Sequence, residues 1–144
     1  MKNQTLLTIL LLLGFLVVQP IFAGGNNSAD TKKSIEANLL IGVKSDNEGL
    51  KVSSAYYLGE LRTKDAVIPL MKILREGNSD AARIIAALSL IKIEDPQGLF
   101  MVKRTAKFND FERVRKISEH FYNAYIANKH AGLKKDKSNI IADL

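Results

Sequence analysis

From Leu50 onward, apolar residues recur with the three-and-four spacing of a buried helical face, and that spacing itself recurs every thirty-two residues. The segments Leu50–Leu61, Ala82–Ile93 and Val114–Tyr125 align without a gap. Each opens on an apolar then a basic residue and carries a small residue at its fifth place and large apolar residues at the ninth and twelfth. A second helical pattern lies between them, Ala66–Leu74 matching Gly98–Ala106 at the same offset, and Ile35–Val43 occupies the equivalent place ahead of Leu50. The spacing predicts six helices, near 31–43, 48–61, 64–76, 79–93, 96–107 and 110–128. Helix-start chemistry falls at the junctions: Ser45-x-x-Glu48 as a capping box, Asp95-Pro96 as a cap followed by proline, Gly77-Asn78-Ser79 as a stop and restart, and Asn109-x-x-Glu112 as a variant cap. A period in this range is that of stacked helical pairs, so the expected fold class is all-α, an α-solenoid of about three helical hairpins.

The residues carrying this repeat resemble a known family. Val52-Ser-Ser-Ala-Tyr-Tyr-Leu-Gly-Glu-Leu followed by Lys64-Asp-Ala-Val-Ile-Pro-Leu-Met-Lys-Ile-Leu is similar to the HEAT repeat, in the short form named for phycobilin lyases. Val114-Arg115 matches the opening of that motif, Leu58-Gly59-x-Leu61 its middle and Ala66-Val67-x-Pro69-Leu70 its close. The likeness covers residues 35–128, and the third unit keeps half of the pattern. The resemblance implies helical hairpins stacked into a right-handed superhelix, a surface usually used to bind protein, and no catalytic residues, because the motif positions are packing positions. It also implies a lesser alternative, a lyase-like or enzyme-accessory factor. In the third unit Glu119 stands where Ala55 and Ala87 precede it, and Lys116 where Val52 and Ile84 do. A terminal repeat has no successor to pack on, so a polar outer face is expected there.

Ahead of the repeats, Lys2 precedes a nearly unbroken apolar run from Leu6 to Val18, then Pro20 and Ile21-Phe22-Ala23. This is the layout of a secretory signal, with cleavage expected after Ala23; an uncleaved N-terminal anchor is the alternative. The expected organisation is a signal at 1–23, a flexible leader at 24–30, the repeat domain at 31–128 and a basic tail at 129–144, with a helix stop at Gly132. The protein is expected to be exported, periplasmic or secreted.

Composition narrows the function classes. The 144 residues contain no Cys, no Trp and two His, which excludes disulfides and thiolate chemistry. His120 and His130 have no second ligand at helical spacing, so no metal, cofactor or catalytic site is expected, and the protein is read as a non-enzyme. The formal charge is +6, and residues 24–102 are balanced, so apart from Lys2 the whole excess falls in residues 103–144. Lys103, Arg104 and Lys107 end one predicted helix while Arg113, Arg115 and Lys116 begin the next, a candidate docking patch tempered by Asp110 and Glu112. Tyr56, Tyr57 and Phe121 fall on the second helix of their pairs, outside the register of the core, and are candidate aromatic contacts; Tyr122 and Tyr125 are assigned to the core. The reading is a protein-binding scaffold or adaptor whose partner is another protein, an acidic one by charge. A peripheral module on an anionic membrane surface is the alternative. Nucleic acid is not expected, and a monomer is, with a side-by-side dimer left open.

Overall fold

The computed structural model describes residues 28–142, with side chains for 29–133; the predicted signal at 1–23 lies outside them. From Lys32 onward the chain forms one compact unit. Six α-helices and one 3₁₀ turn are present, and there are no strands among the described residues: α1 Ser28–Gly42, α2 Glu48–Glu60, the turn Lys64–Ala66, α3 Val67–Glu76, α4 Asp80–Ile93, α5 Pro96–Phe108 and α6 Glu112–Ala142.

Local chemistry sets most of these boundaries. Ser79 caps α4 by accepting the Ala82 N–H at 3.1 Å, and Asp95 caps α5 by accepting from Gln97 at 2.9 Å and Gly98 at 3.4 Å, with Pro96 at the first helical position. The capping box expected at Ser45 and Glu48 does not form. Asn47 is the cap, accepting the Leu50 N–H at 3.0 Å, while Ser45 accepts from Asn47 and Glu48 accepts the Ser79 hydroxyl. Asn109 closes a turn on the Phe111 N–H at 2.9 Å, so α6 begins at Glu112 instead of enclosing it. Pro69 breaks nothing, because it lies in the first turn of α3, where N–H groups have no intrahelical partner. The predicted stop at Gly132 is also absent. A glycine weakens a helix by only about 1 kcal/mol, and α6 runs on through it to Ala142.

Helix α4 lies against α2 on one side and α6 on the other, while α3 and α5 lie beside one another and against α4, and α5 also packs on α6. Leu58, Leu70, Leu74, Leu90, Val102 and Val114 are fully buried, and the core with its flanking residues falls between Leu39 and Tyr122. The α2–α4 crossing is close: a Cβ on Gly59 would stand 2.7 Å from the Ser89 Cα, and the Ser89 hydroxyl donates to the Ala55 carbonyl at 2.7 Å. The thirty-two-residue period is written in the backbone too. Arg62 and Glu94, which follow α2 and α4, are the two non-glycine residues with positive φ, 53° and 60°, among the described residues. Their side chains pair at 3.2 Å. Lys116 and Glu119 on α6 are exposed.

Candidate interaction surfaces

Two surfaces emerge. The first runs across α2, α4 and α6. Tyr56 and Tyr57 stand 39% and 55% exposed on α2, edge to face with ring centroids 5.4 Å apart. On the other side of α4 lies an open groove of about 520 Å³ whose floor includes Leu88 and Ile91 of α4 and Phe121 and Tyr125 of α6. Its rim is charged and mutually engaged. Arg62 pairs with Glu94, Lys92 pairs with Glu60 and lies 5.0 Å from the Tyr56 ring centroid, and Lys129 lies 5.8 Å from that of Tyr125. Hydrogen bonding to Lys92 and then to Tyr56 holds the Glu60 carboxyl below its ordinary range. The same Glu60 bond and its negative charge hold the Tyr56 hydroxyl above the phenol range. Apart from Lys129, which has no ion-pair partner among the described residues, the charges on this side therefore satisfy one another.

One aromatic assignment changes. Phe121, a candidate contact, is half-buried: it packs against the core and also lines the groove. Tyr125, assigned to the core by its register with Ile93, is half-buried and lines the groove. Tyr122 is half-buried and packs on the core.

The second surface is the outward arc of α5. Gly98, Val102 and Thr105 are the residues this helix buries. On the opposite arc stand Phe100, Lys103, Arg104, Lys107 and Phe108, spaced three and four residues apart on one face. Phe100 is 66% exposed and Phe108 75%, and this helix contains no acidic residue. Lys103, Arg104 and Lys107 have no ion-pair partner among the described residues, and Lys103 Nζ lies 5.9 Å from the Tyr122 ring centroid. Thirty-two residues earlier, Ile68, Lys72 and Arg75 of α3 occupy the same register as Phe100, Arg104 and Lys107 and are exposed as well. Arg75 is joined to Glu76 at 2.6 Å.

The six cations predicted to gather at the α5–α6 turn divide. Lys116 pairs with Glu112 at 2.7 Å, and Arg115 donates to the Asn109 carbonyl at 3.3 Å. Arg113 is exposed. Arg104 instead shares a cleft of about 370 Å³ with Arg75, Arg83, Phe108, Phe111 and Asp110, where the Arg83 guanidinium lies 4.3 Å from the Phe111 ring centroid. Sequence reading missed Phe100, Phe108 and Phe111. The available signal was that Phe100 and Phe108 share an arc with three cations, and lysine does not face a core.

His120 and His130 are both exposed on α6. No helix among the described residues is long and apolar enough to cross a membrane. No known family model matches the chain, and no curated protein or solved structure is significantly similar to it.

Proposed function

We propose that this chain is an exported, non-catalytic protein-binding scaffold, built as a right-handed HEAT-like solenoid of three helical hairpins. Supporting the architecture are the thirty-two-residue register, the side-by-side order α2, α4, α6 and the left-handed residues Arg62 and Glu94 at equivalent positions. The observation that carries the function is the groove between α4 and α6, with an apolar and aromatic floor and a charged rim. That is the anatomy of a protein interface: buried anchors contact the partner while surrounding polar groups exclude water. Tyr56 and Tyr57 extend the apolar contact onto α2, and Lys129 biases the rim toward an acidic partner.

The test is photo-crosslinking in the cell that makes the protein, with the reactive side chain placed at Tyr57 or at Asn128. Both positions are expected to capture the same protein, and Tyr56→Ala with Tyr125→Ala to abolish the capture. Crosslinks formed from α5 positions but never from these two would overturn the assignment.

A further inference from the structure

Helix α5 turns its largest apolar residues to solvent and its smallest toward the core. Gly98 leaves so little space that a Cβ there would meet Leu90 Cδ2 at 2.9 Å. Packing therefore accounts for the small residues on the inner arc, but it does not account for Phe100 and Phe108 on the outer one. Eight residues apart, the two rings are about 12 Å from each other along the helix axis. Between them stand Lys103, Arg104 and Lys107, cations with long apolar stems and no ion partner among the described residues. Ile68, 64% exposed, extends the apolar contact onto α3, with Lys72 beside it.

We propose that this face docks on an anionic phospholipid surface, with Phe100 and Phe108 inserted at the headgroup–acyl boundary and Lys103, Arg104 and Lys107 engaging lipid phosphates. Charge complementarity identifies the occupant: the helix has cations and no carboxylate, and anionic lipid supplies many phosphates in one plane. Interfacial helices join apolar residues to flanking lysine and arginine in this way, the stems lying along the apolar layer while the charged heads reach the phosphates. An acidic protein would satisfy the cations equally well, but it would have to supply two separate pockets for rings that project from a ridge. A bilayer supplies apolar depth everywhere beneath its headgroups. The cleft of Arg75, Arg83 and Arg104 continues the positive surface, its one lining carboxylate being Asp110. Glu76 is the carboxylate on α3's share of the face, and it is already joined to Arg75. Docking by this face would leave the α4–α6 groove open to a protein partner, so the proposal stands whether or not that groove is used.

The absence of tryptophan makes the test site-specific. The chain starting at Gly24 keeps every core residue and lacks the apolar run at Leu6–Val18. It is prepared with Phe108→Trp or, for comparison, Tyr57→Trp, and mixed with phosphatidylcholine vesicles containing or lacking about one-third phosphatidylglycerol. Only the Phe108→Trp fluorescence is expected to shift to the blue and to be quenched by brominated acyl chains, and only with the anionic lipid. Binding is expected to fall about fivefold for each cation neutralised among Lys103, Arg104 and Lys107, and to weaken steeply as salt shortens the Debye length. Phe100→Ser with Phe108→Ser is expected to leave a weak, shallow, salt-sensitive association. Absence of quenching at Phe108→Trp, equal quenching at Tyr57→Trp, or binding to polyglutamate with none to anionic vesicles would each overturn the proposal.

Discussion

Helices α4 and α5 are neighbours of similar length, and they distribute their side chains by opposite rules. Helix α4 places Leu90 and Ile93 in the core and spends its cations on internal partners, Lys92 on Glu60 and Arg83 on the Gly77 carbonyl at 2.7 Å. Helix α5 buries Gly98, Val102 and Thr105 and leaves Phe100, Phe108 and three cations outside. The first arrangement is explained by stability alone, since each large apolar residue removed from water contributes about 1.5–3 kcal/mol. The second is not, because an exposed phenylalanine contributes almost nothing to the fold. Where a helix of a small domain keeps its bulk outside, the outer face is the place to look for function.

The largest expected effect tests the buried half of that contrast. Leu90→Ala is expected to cost about 2–5 kcal/mol in denaturant unfolding, because Leu90 is fully enclosed and its loss leaves a cavity. Phe100→Ser and Phe108→Ser remove comparable or greater apolar bulk, yet are expected to change stability by no more than about 0.5 kcal/mol each. A loss above about 1 kcal/mol from either phenylalanine would mean that α5 is not inside-out, and the contrast would collapse.

A step smaller is the close crossing of α2 on α4. Gly59→Ala is expected to destabilise by about 1–3 kcal/mol, since its Cβ would press on the Ser89 backbone and the two helices must separate. Gly132→Ala on α6 has nothing within 4 Å and is expected to gain up to about 1 kcal/mol. Thermal melts of the two variants moving in opposite directions would fix where the helices touch. If Gly59→Ala melts like the parent chain, the crossing is looser than described.

These two glycines also show what the sequence could and could not disclose. Gly59 is legible as a small residue in a repeated helical face, and the six helices followed from such spacing because apolar periodicity reports burial directly. Gly132 was read as a stop because local propensity favours one, but an exposed helix tolerates a single glycine. Ser45 with Glu48 and Asn47 offer competing caps within four residues, and only the three-dimensional path of the chain decides between them. The candidate sites were less legible still. Lys103, Arg104 and Lys107 were found as a charge run, but which cations remain unpaired depends on contacts such as Glu112 with Lys116, and those follow from side-chain placement. Tyr125, assigned to the core, lines the groove beside Phe121 for a related reason. Register gives the direction in which a residue points, whereas burial depends on which neighbouring helix lies there.

Next come two buried serines. Ser89→Ala removes a hydrogen bond to the Ala55 carbonyl and is expected to cost about 1 kcal/mol, part of it from leaving that carbonyl unpaired. Ser118, fully buried on α6, has no hydrogen-bond partner for its hydroxyl among the described residues, and Ser118→Ala is expected to be neutral or stabilising. Equal losses from the two substitutions would show that the packing of α6 depends on a polar interaction at Ser118.

The smallest effect lies on the satisfied surface. Because Lys92 first and Tyr56 second hold the Glu60 carboxyl below its ordinary value, folding gains from the ionised carboxylate above the unfolded value, about 4.3, and loses that gain as pH falls through the folded one. Tyr56 has the opposite sense. Its raised hydroxyl means that folding becomes less favourable as pH rises past the ordinary phenol value, where a tyrosinate would face Glu60. Glu60→Gln is therefore expected to flatten both ends of the stability profile while leaving the neutral-pH melting temperature nearly unchanged, the Lys92 and Glu60 side chains being 32% and 40% exposed. High salt should mask the difference at the acid end. Lys107→Glu provides the contrast, since Lys107 has no carboxylate partner among the described residues: its stability profile is expected to stay that of the parent while vesicle binding falls. If Lys107→Glu instead changes the melt and Glu60→Gln changes vesicle binding, the satisfied and open surfaces have been assigned the wrong way round.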